Sequence, residues 1–176
     1  MTAQALPATR SRDLNKYLSI RVASQNFGIG VLTIKEIIEY GQVTSIPMMP
    51  SFVCGTINLR GHGVPVLDLA ARFGGSASQV SNRSCIVIVE APADGGGACD
   101  VGLLVDAVDE VVDIAPEDIE SAPSLGGRIR TDFFAGMGKV KGRFVLLLDI
   151  GRLLAMDELE VLYAAAARGH DRGEET

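Results

Sequence analysis

Tryptophan is absent, and aromatic residues make up only 5% of the 176 residues. Hydrophobic residues nevertheless reach 47%, so aliphatic side chains must fill the interior. A chain of this length buries about 70% of the surface that its unfolded form exposes. Valine recurs in short runs, which favours strands. We therefore expect a mainly β protein with an aliphatic core.

Positive charge is also scarce, since 16 Lys and Arg residues face 22 Asp and Glu residues and leave a net charge of −6. This balance argues against binding to nucleic acid or to an anionic membrane surface. No apolar run approaches the roughly 18 residues of a spanning helix. Residues 1–15 lack the apolar core of a signal peptide and are expected to form a flexible leader. The sequence predicts a cytoplasmic protein without direct membrane contact.

Cysteine and histidine are too few and too scattered for a disulfide framework or a metal site, and no cofactor motif is present. The cysteines are Cys54, Cys85 and Cys99, and the histidines are His62 and His170. A nucleophilic pair of Cys54 and His62 would require the two side chains to meet in space. Cys54 follows an apolar residue, in surroundings that tend to raise a thiol pKa. A small hydrolase that uses Cys54 and His62 is the alternative function from a different class of protein, but the sequence assigns no catalytic residue.

Apolar patterning predicts the order of the elements. Strands are predicted at 17–23, 27–31, 42–46, 85–89, 101–105 and 108–114, and hairpins at 57–67 and 136–148. The first hairpin is expected to turn at Gly61 to Gly63 and the second at Lys141-Gly142. Asp68 and Asp149 are each expected to cap a short helix, and 156–168 to form a C-terminal helix before a polar tail at 169–176.

One further helix is predicted from Ile34 to about Tyr40. Thr33 and Glu36 have the spacing of a capping box, in which each side chain bonds to the other residue's backbone N–H. Ile34, Ile37 and Ile38 follow at helical spacing.

An internal repeat links the two halves of the chain. Gly28 and Glu36 each recur 74 residues later, as Gly102 and Glu110, and the first hairpin and its capping aspartate recur in the second half. The repeat predicts two tandem β-barrels of about five short strands, at 16–80 and 84–155. Only the first hairpin carries an arginine immediately before its predicted turn, Arg60, since the second has Lys139 and Val140 near the corresponding place and lacks the Asn-Leu-Arg-Gly pattern. This asymmetry favours a binding role for Arg60 over a purely structural one.

The segments 27–37 and 43–73, with Asn58-Leu59-Arg60-Gly61 at their centre, resemble the family of CheW-like chemotaxis coupling proteins. The likeness continues through 101–106, 110–111, 122–123, 136–138 and 147–150, and covers about residues 16 to 163 as one domain. The resemblance implies two SH3-like β-barrels packed together.

The resemblance also implies an adaptor without catalysis. Such proteins link the cytoplasmic hairpin tips of chemoreceptors to the regulatory domain of the histidine kinase CheA. The matching positions for partner binding are Ile34, Glu36, Gly55, Asn58 and Arg60. A coupling protein of a non-flagellar pathway, such as twitching motility, is the alternative within the family.

Overall fold

The chain folds into two β-sheets with short helices and turns between them. The computed structural model describes residues 15–92, 97–121 and 133–154. Its strands are β1 (Lys16–Val22), β2 (Gln25–Gly30), β3 (Ile34–Glu39), β4 (Val53–Leu59), β5 (His62–Asp68), β6 (Cys85–Pro92), β7 (Ala98–Val105), β8 (Ala107–Asp113), β9 (Ile119–Glu120), β10 (Phe134–Val140) and β11 (Arg143–Leu148). The helices are α1 (Leu69–Arg72) and α2 (Ile150–Leu153), with 3-10 turns at Val31–Thr33 and Pro116–Asp118.

The strands form a six-stranded sheet, ordered β8-β1-β2-β11-β10-β9, and a five-stranded sheet, ordered β3-β6-β7-β5-β4. This confirms the prediction of a mainly β fold in two small sheets with a few short helices. The hydrogen-bonded order does not itself join the outer strands of either sheet into a closed barrel. The leader up to residue 14, the helix predicted at 156–168 and the polar tail lie outside the described residues.

Matched strands of the repeat occupy matched places in the two sheets. In one sheet β2 runs parallel to β11, with Gly28 opposite Leu147. In the other, β7 runs parallel to β5, with Gly102 opposite Val66. Each sheet therefore combines strands from both halves of the sequence. The division at 16–80 and 84–155 stays a prediction about folding units.

Three apolar clusters hold the sheets. One is drawn from the five-stranded sheet and contains Ile57, Val64, Val66, Ile86, Ile88 and Leu104. A second is centred on Ile114, Val145 and Leu147 beside the six-stranded sheet. The third and largest takes residues from both sheets, among them Ile20, Phe27, Val87 and Leu103. The two sheets thus each surround a small core and share a larger core between them.

The helix predicted from Ile34 is wrong, because this segment is the edge strand β3, paired antiparallel with β6. The Thr33 hydroxyl donates to the carbonyl of Gly30 at 2.7 Å and closes the preceding 3-10 turn. Burial then alternates along β3, with Ile34, Glu36 and Ile38 partly buried and the residues between them exposed. Pairing with a strand some fifty residues further on overrides a local pattern that fits a helix.

The first hairpin is confirmed, but its turn was predicted one residue late. Leu59 pairs with His62, so the turn residues are Arg60 and Gly61, whose φ angles are 53° and 86°. Two positive φ angles give the type I′ geometry that matches the twist of paired strands. His62 accordingly begins β5 and is exposed.

Both predicted helix caps are confirmed. The Asp68 carboxylate accepts a hydrogen bond from the Ala70 N–H, and the Asp149 carboxylate accepts one from the Arg152 N–H, each at 3.1 Å. The strand predicted at 42–46 is reduced to a single bridge between Thr44 and Thr56.

Candidate functional site: an ion pair across the sheet edge

Two of the predicted site residues meet in an ion pair. Arg60 Nη2 donates to Glu36 Oε2 at 2.6 Å. Glu36 lies on β3 and Arg60 in the β4–β5 turn, at opposite ends of the strand order. The five-stranded sheet must therefore curl until its last hairpin reaches its first strand. The Arg60 side chain remains 74% exposed, whereas that of Glu36 is 25% exposed, so the guanidinium is the outer member of the pair.

Asn58 fixes the turn that carries Arg60. Its Oδ1 accepts a hydrogen bond from the Gly61 N–H at 2.8 Å. Asn side chains commonly bond to backbone a few residues further on in this way. Asn58 thus positions Arg60 from within the hairpin, whether or not it also contacts a partner.

Gly55 and Ile34 are placed differently from the exposed arginine. Gly55 is buried with a φ of 146°, and a Cβ there would lie 2.0 Å from the Thr44 carbonyl oxygen. Ile34 is half-buried, pairs with Val89 and packs against the shared core. Gly55 therefore allows close backbone packing behind the hairpin. Partner binding at all five positions stays a prediction.

A second ion pair lies beside the first and was not predicted. Lys35 is at a register shift in β3, and its Nζ donates to the two carboxylate oxygens of Asp100 at 3.0 and 3.2 Å. The hydrogen bond from Lys35 to Asp100, and then the charge of Asp100, raise the pKa of Lys35. The charge of Arg60 has a smaller effect and lowers the pKa of Lys35, because like charges repel each other. No local pattern in the sequence connects residues 65 positions apart.

The other sheet contains an equivalent of the first ion pair. Lys141 Nζ lies 3.6 Å from Glu110 Oε1. Glu110 is the repeat partner of Glu36, and Lys141 precedes its turn glycine as Arg60 does, with φ angles of 50° and 53°. Only the first turn contains an arginine, as the sequence predicts, but the second turn contains a lysine at the matching place. The match also follows from the sequence, because Arg60 lies eight residues before Asp68 and Lys141 lies eight residues before Asp149.

Cys54 and His62 do not come together. Cys54 adjoins the pairing of Val53 with Leu67, whereas His62 pairs with Leu59 at the turn end of the same hairpin. Burial, and to a lesser extent the charge of Asp68, raise the pKa of Cys54 to about 12. A thiol with that pKa stays protonated at neutral pH and is a poor nucleophile. Within residues 15–92, 97–121 and 133–154, no group of three metal-binding side chains is found.

Two sheets with matched strand order, a shared core and an exposed ion pair at a hairpin turn define a β-sheet domain whose candidate site is a charged surface. Comparison with known proteins identifies the family. A family model of the CheW-like domain matches residues 16–158. The chain belongs to this family, as the sequence predicted.

The relatives span nearly the whole chain. The chemotaxis protein CheW of Klebsiella aerogenes is 30% identical over 147 residues, which cover 84% of this chain and 86% of that protein. Protein FrzA of Myxococcus xanthus is 26% identical over 149 residues, covering 84% and 89%. The crystal structure of the scaffolding protein TtCheW from Thermoanaerobacter tengcongensis is similar with a TM-score of 0.71 and 33% identity, covering 82% and 90%.

Across the described residues, no helix combines the length and apolar character needed to cross a membrane.

Proposed function

We propose that this protein is a cytoplasmic, non-catalytic adaptor that couples chemoreceptors to the CheA histidine kinase in bacterial chemosensory signalling. Membership of the CheW-like family over residues 16–158 supports the adaptor role. The observation that carries the proposed site is the Glu36–Arg60 ion pair, whose guanidinium is mostly exposed.

The energetics of this pair support a role in binding rather than in folding. An ion pair at an exposed surface typically stabilises a protein by only about 0.2–1 kcal/mol. The same guanidinium, once covered by a partner, can form charge-assisted hydrogen bonds that are roughly twice as strong as neutral ones. Glu36 holds the Arg60 side chain in one orientation, which lowers the entropy lost when a partner binds.

Removal of the turn cation tests the site. We expect Arg60→Ala to weaken binding to a chemoreceptor cytoplasmic fragment and to a CheA regulatory domain by about tenfold for at least one of them. Circular dichroism and the urea unfolding midpoint should stay close to wild type. Isothermal titration calorimetry with each purified partner measures both affinities.

The matched control is Lys141→Ala, because it removes a cation from the equivalent turn at almost the same φ. It changes net charge and turn strain as Arg60→Ala does, so a comparable loss of binding would show that net charge, not the Arg60 surface, decides affinity. A wild-type protein that binds neither partner would refute the coupling role.

Absence of catalysis is part of the proposal and separates it from the hydrolase alternative. Cys54→Ser should leave coupling to receptor and kinase intact. The hydrolase interpretation would instead gain support if Cys54→Ser abolished function while Arg60→Glu preserved it with normal partner binding.

The second candidate is a coupling protein of a non-flagellar pathway in the same family. The similarity to Protein FrzA, a relative not named CheW, is compatible with it. Both candidates require the same receptor and kinase contacts, and the motility phenotype of a deletion strain separates them.

A further inference from the structure

We propose that Lys35 is a second partner-contacting cation and determines specificity for an acidic segment of the receptor helix. This inference rests on the proposed function and concerns the same face of the five-stranded sheet. The first observation is position, since Lys35 lies between Ile34 and Glu36 at the register shift in β3. It reaches over β6 to Asp100 on β7.

The exposure of the four charged groups indicates which of them face a partner. The side chains of Arg60 and Lys35 are 74% and 47% exposed, whereas those of Glu36 and Asp100 are 25% and 31% exposed. In both pairs the cation is therefore the outer group and the carboxylate the inner one. A partner approaching this surface meets two cations that are held in place from beneath, and carboxylates on one face of a helix complement such a pair.

Lys35 also has a structural explanation that must be separated from binding. Glu90 and Asp100 face each other across β6 and β7, and like charges directly opposite each other destabilise a sheet. Lys35 offsets this repulsion. If that were its whole role, removing either Lys35 or Asp100 would break the same ion pair, and neither substitution would improve partner binding.

The test compares substitutions of Lys35 with a substitution of Asp100. Each variant is made in the full-length protein and titrated with a chemoreceptor cytoplasmic fragment. Lys35→Met should weaken binding about threefold, and Lys35→Arg should largely restore it. Asp100→Asn frees Lys35 from its inner carboxylate and should strengthen binding by about twofold. These opposite shifts should diminish in high salt, because exposed charges are screened.

A matched pair elsewhere controls for net charge. Arg21 and Asp109 form an ion pair with side-chain exposures of 45% and 32% on the other sheet. Arg21→Met and Asp109→Asn should leave receptor affinity unchanged, whereas shifts equal to those of the Lys35 and Asp100 variants would overturn the proposal in favour of a long-range charge effect. Equal or same-direction changes for Lys35→Met and Asp100→Asn, with wild-type binding intact, would also overturn it.

Wild-type protein that binds neither receptor nor kinase would refute the proposed function itself, and this inference with it.

Discussion

Arg60 shows what one residue's sequence context can and cannot predict. The neighbouring glycine predicts a turn next to Arg60, but one residue later than the turn that contains it. The candidate role of Arg60 is a prediction from the Asn-Leu-Arg-Gly motif. The sequence predicts Glu36 as a site residue but not as the ionic partner of Arg60, because their contact depends on how the sheet curls. The ion pair between Lys35 and Asp100 could not be predicted from the sequence. It depends on the register shift in β3, which is a property of the paired strands and directs the Lys35 side chain across β6. The sequence around a residue predicts its local chemistry, but it does not predict contacts across a sheet.

Gly55 is a predicted site residue whose identity also has a structural explanation, because the fold needs a glycine at this position. Gly55→Ala should destabilise the fold by about 3 kcal/mol, because the substitution combines an unfavourable φ with a clash against the Thr44 carbonyl. Urea unfolding measures the loss. Gly61→Ala is the comparison, since its φ is also positive but no atom lies within 4 Å of the added carbon. It should cost only about 1 kcal/mol. Equal costs would show that the Thr44 contact contributes nothing.

Among the elements, β3 was the main failure of prediction. Its capping-box spacing and three isoleucines fit a helix locally, yet isoleucine also favours strands, and β6 offers a complete row of backbone partners. The hairpins and helix caps were predicted correctly, apart from the one-residue error in the first turn, because their signals, a turn glycine or an aspartate before a short helix, act within a few residues. The local pattern of β3 fits either structure, so its distant partner β6 decides between them.

The parallel contact between β5 and β7 yields a prediction about an element. A Cβ at Gly102 would lie 2.7 Å from Ile86 Cγ2 and 3.3 Å from Val66 Cγ2. Gly102→Ala should therefore overpack the cluster inside the five-stranded sheet and destabilise the protein by about 1–3 kcal/mol. Gly30→Ala is the control, since nothing lies within 4 Å of its added carbon and its φ is −56°. Thermal unfolding of the two variants should diverge, and coincident melting curves would contradict tight packing at this contact.

At the level of the whole molecule, Arg72 joins the two helices that follow the repeated hairpins. Arg72 is buried at the end of α1 and donates through Nε and Nη2 to the Leu153 carbonyl in α2, at 3.2 and 3.0 Å. Its guanidinium also stacks against Phe52 and Phe133, 4.8 and 4.5 Å from the ring centroids. One planar side chain thus satisfies a helix C-terminus and fills space between aromatic rings.

Arg72→Lys tests this connection while preserving the charge. A lysine cannot reproduce the planar stack or donate from two fixed N–H groups to the same carbonyl oxygen. We expect a loss of about 2 kcal/mol in the free energy of unfolding, measured with urea. Arg152→Lys, at a position whose side chain is 64% exposed in α2, should be nearly neutral. If the two variants unfold at the same urea concentration, Arg72 does not hold the helices together.

Because each sheet contains strands from both halves of the sequence, the strand order also determines when this protein can fold during its synthesis. The edge strand β3 has no neighbour until β6 emerges. The β2 strand can pair with β1, but its other edge stays unpaired until β11 emerges, whose last residue is Leu148. A ribosome that has released only the first eighty residues would expose unpaired strand edges, which promote association with other chains. We expect the incomplete chain to associate with other chains more readily than the complete one. If the chain is divided at its midpoint, neither fragment should form its sheets alone, and the sheets should form when the two fragments are mixed.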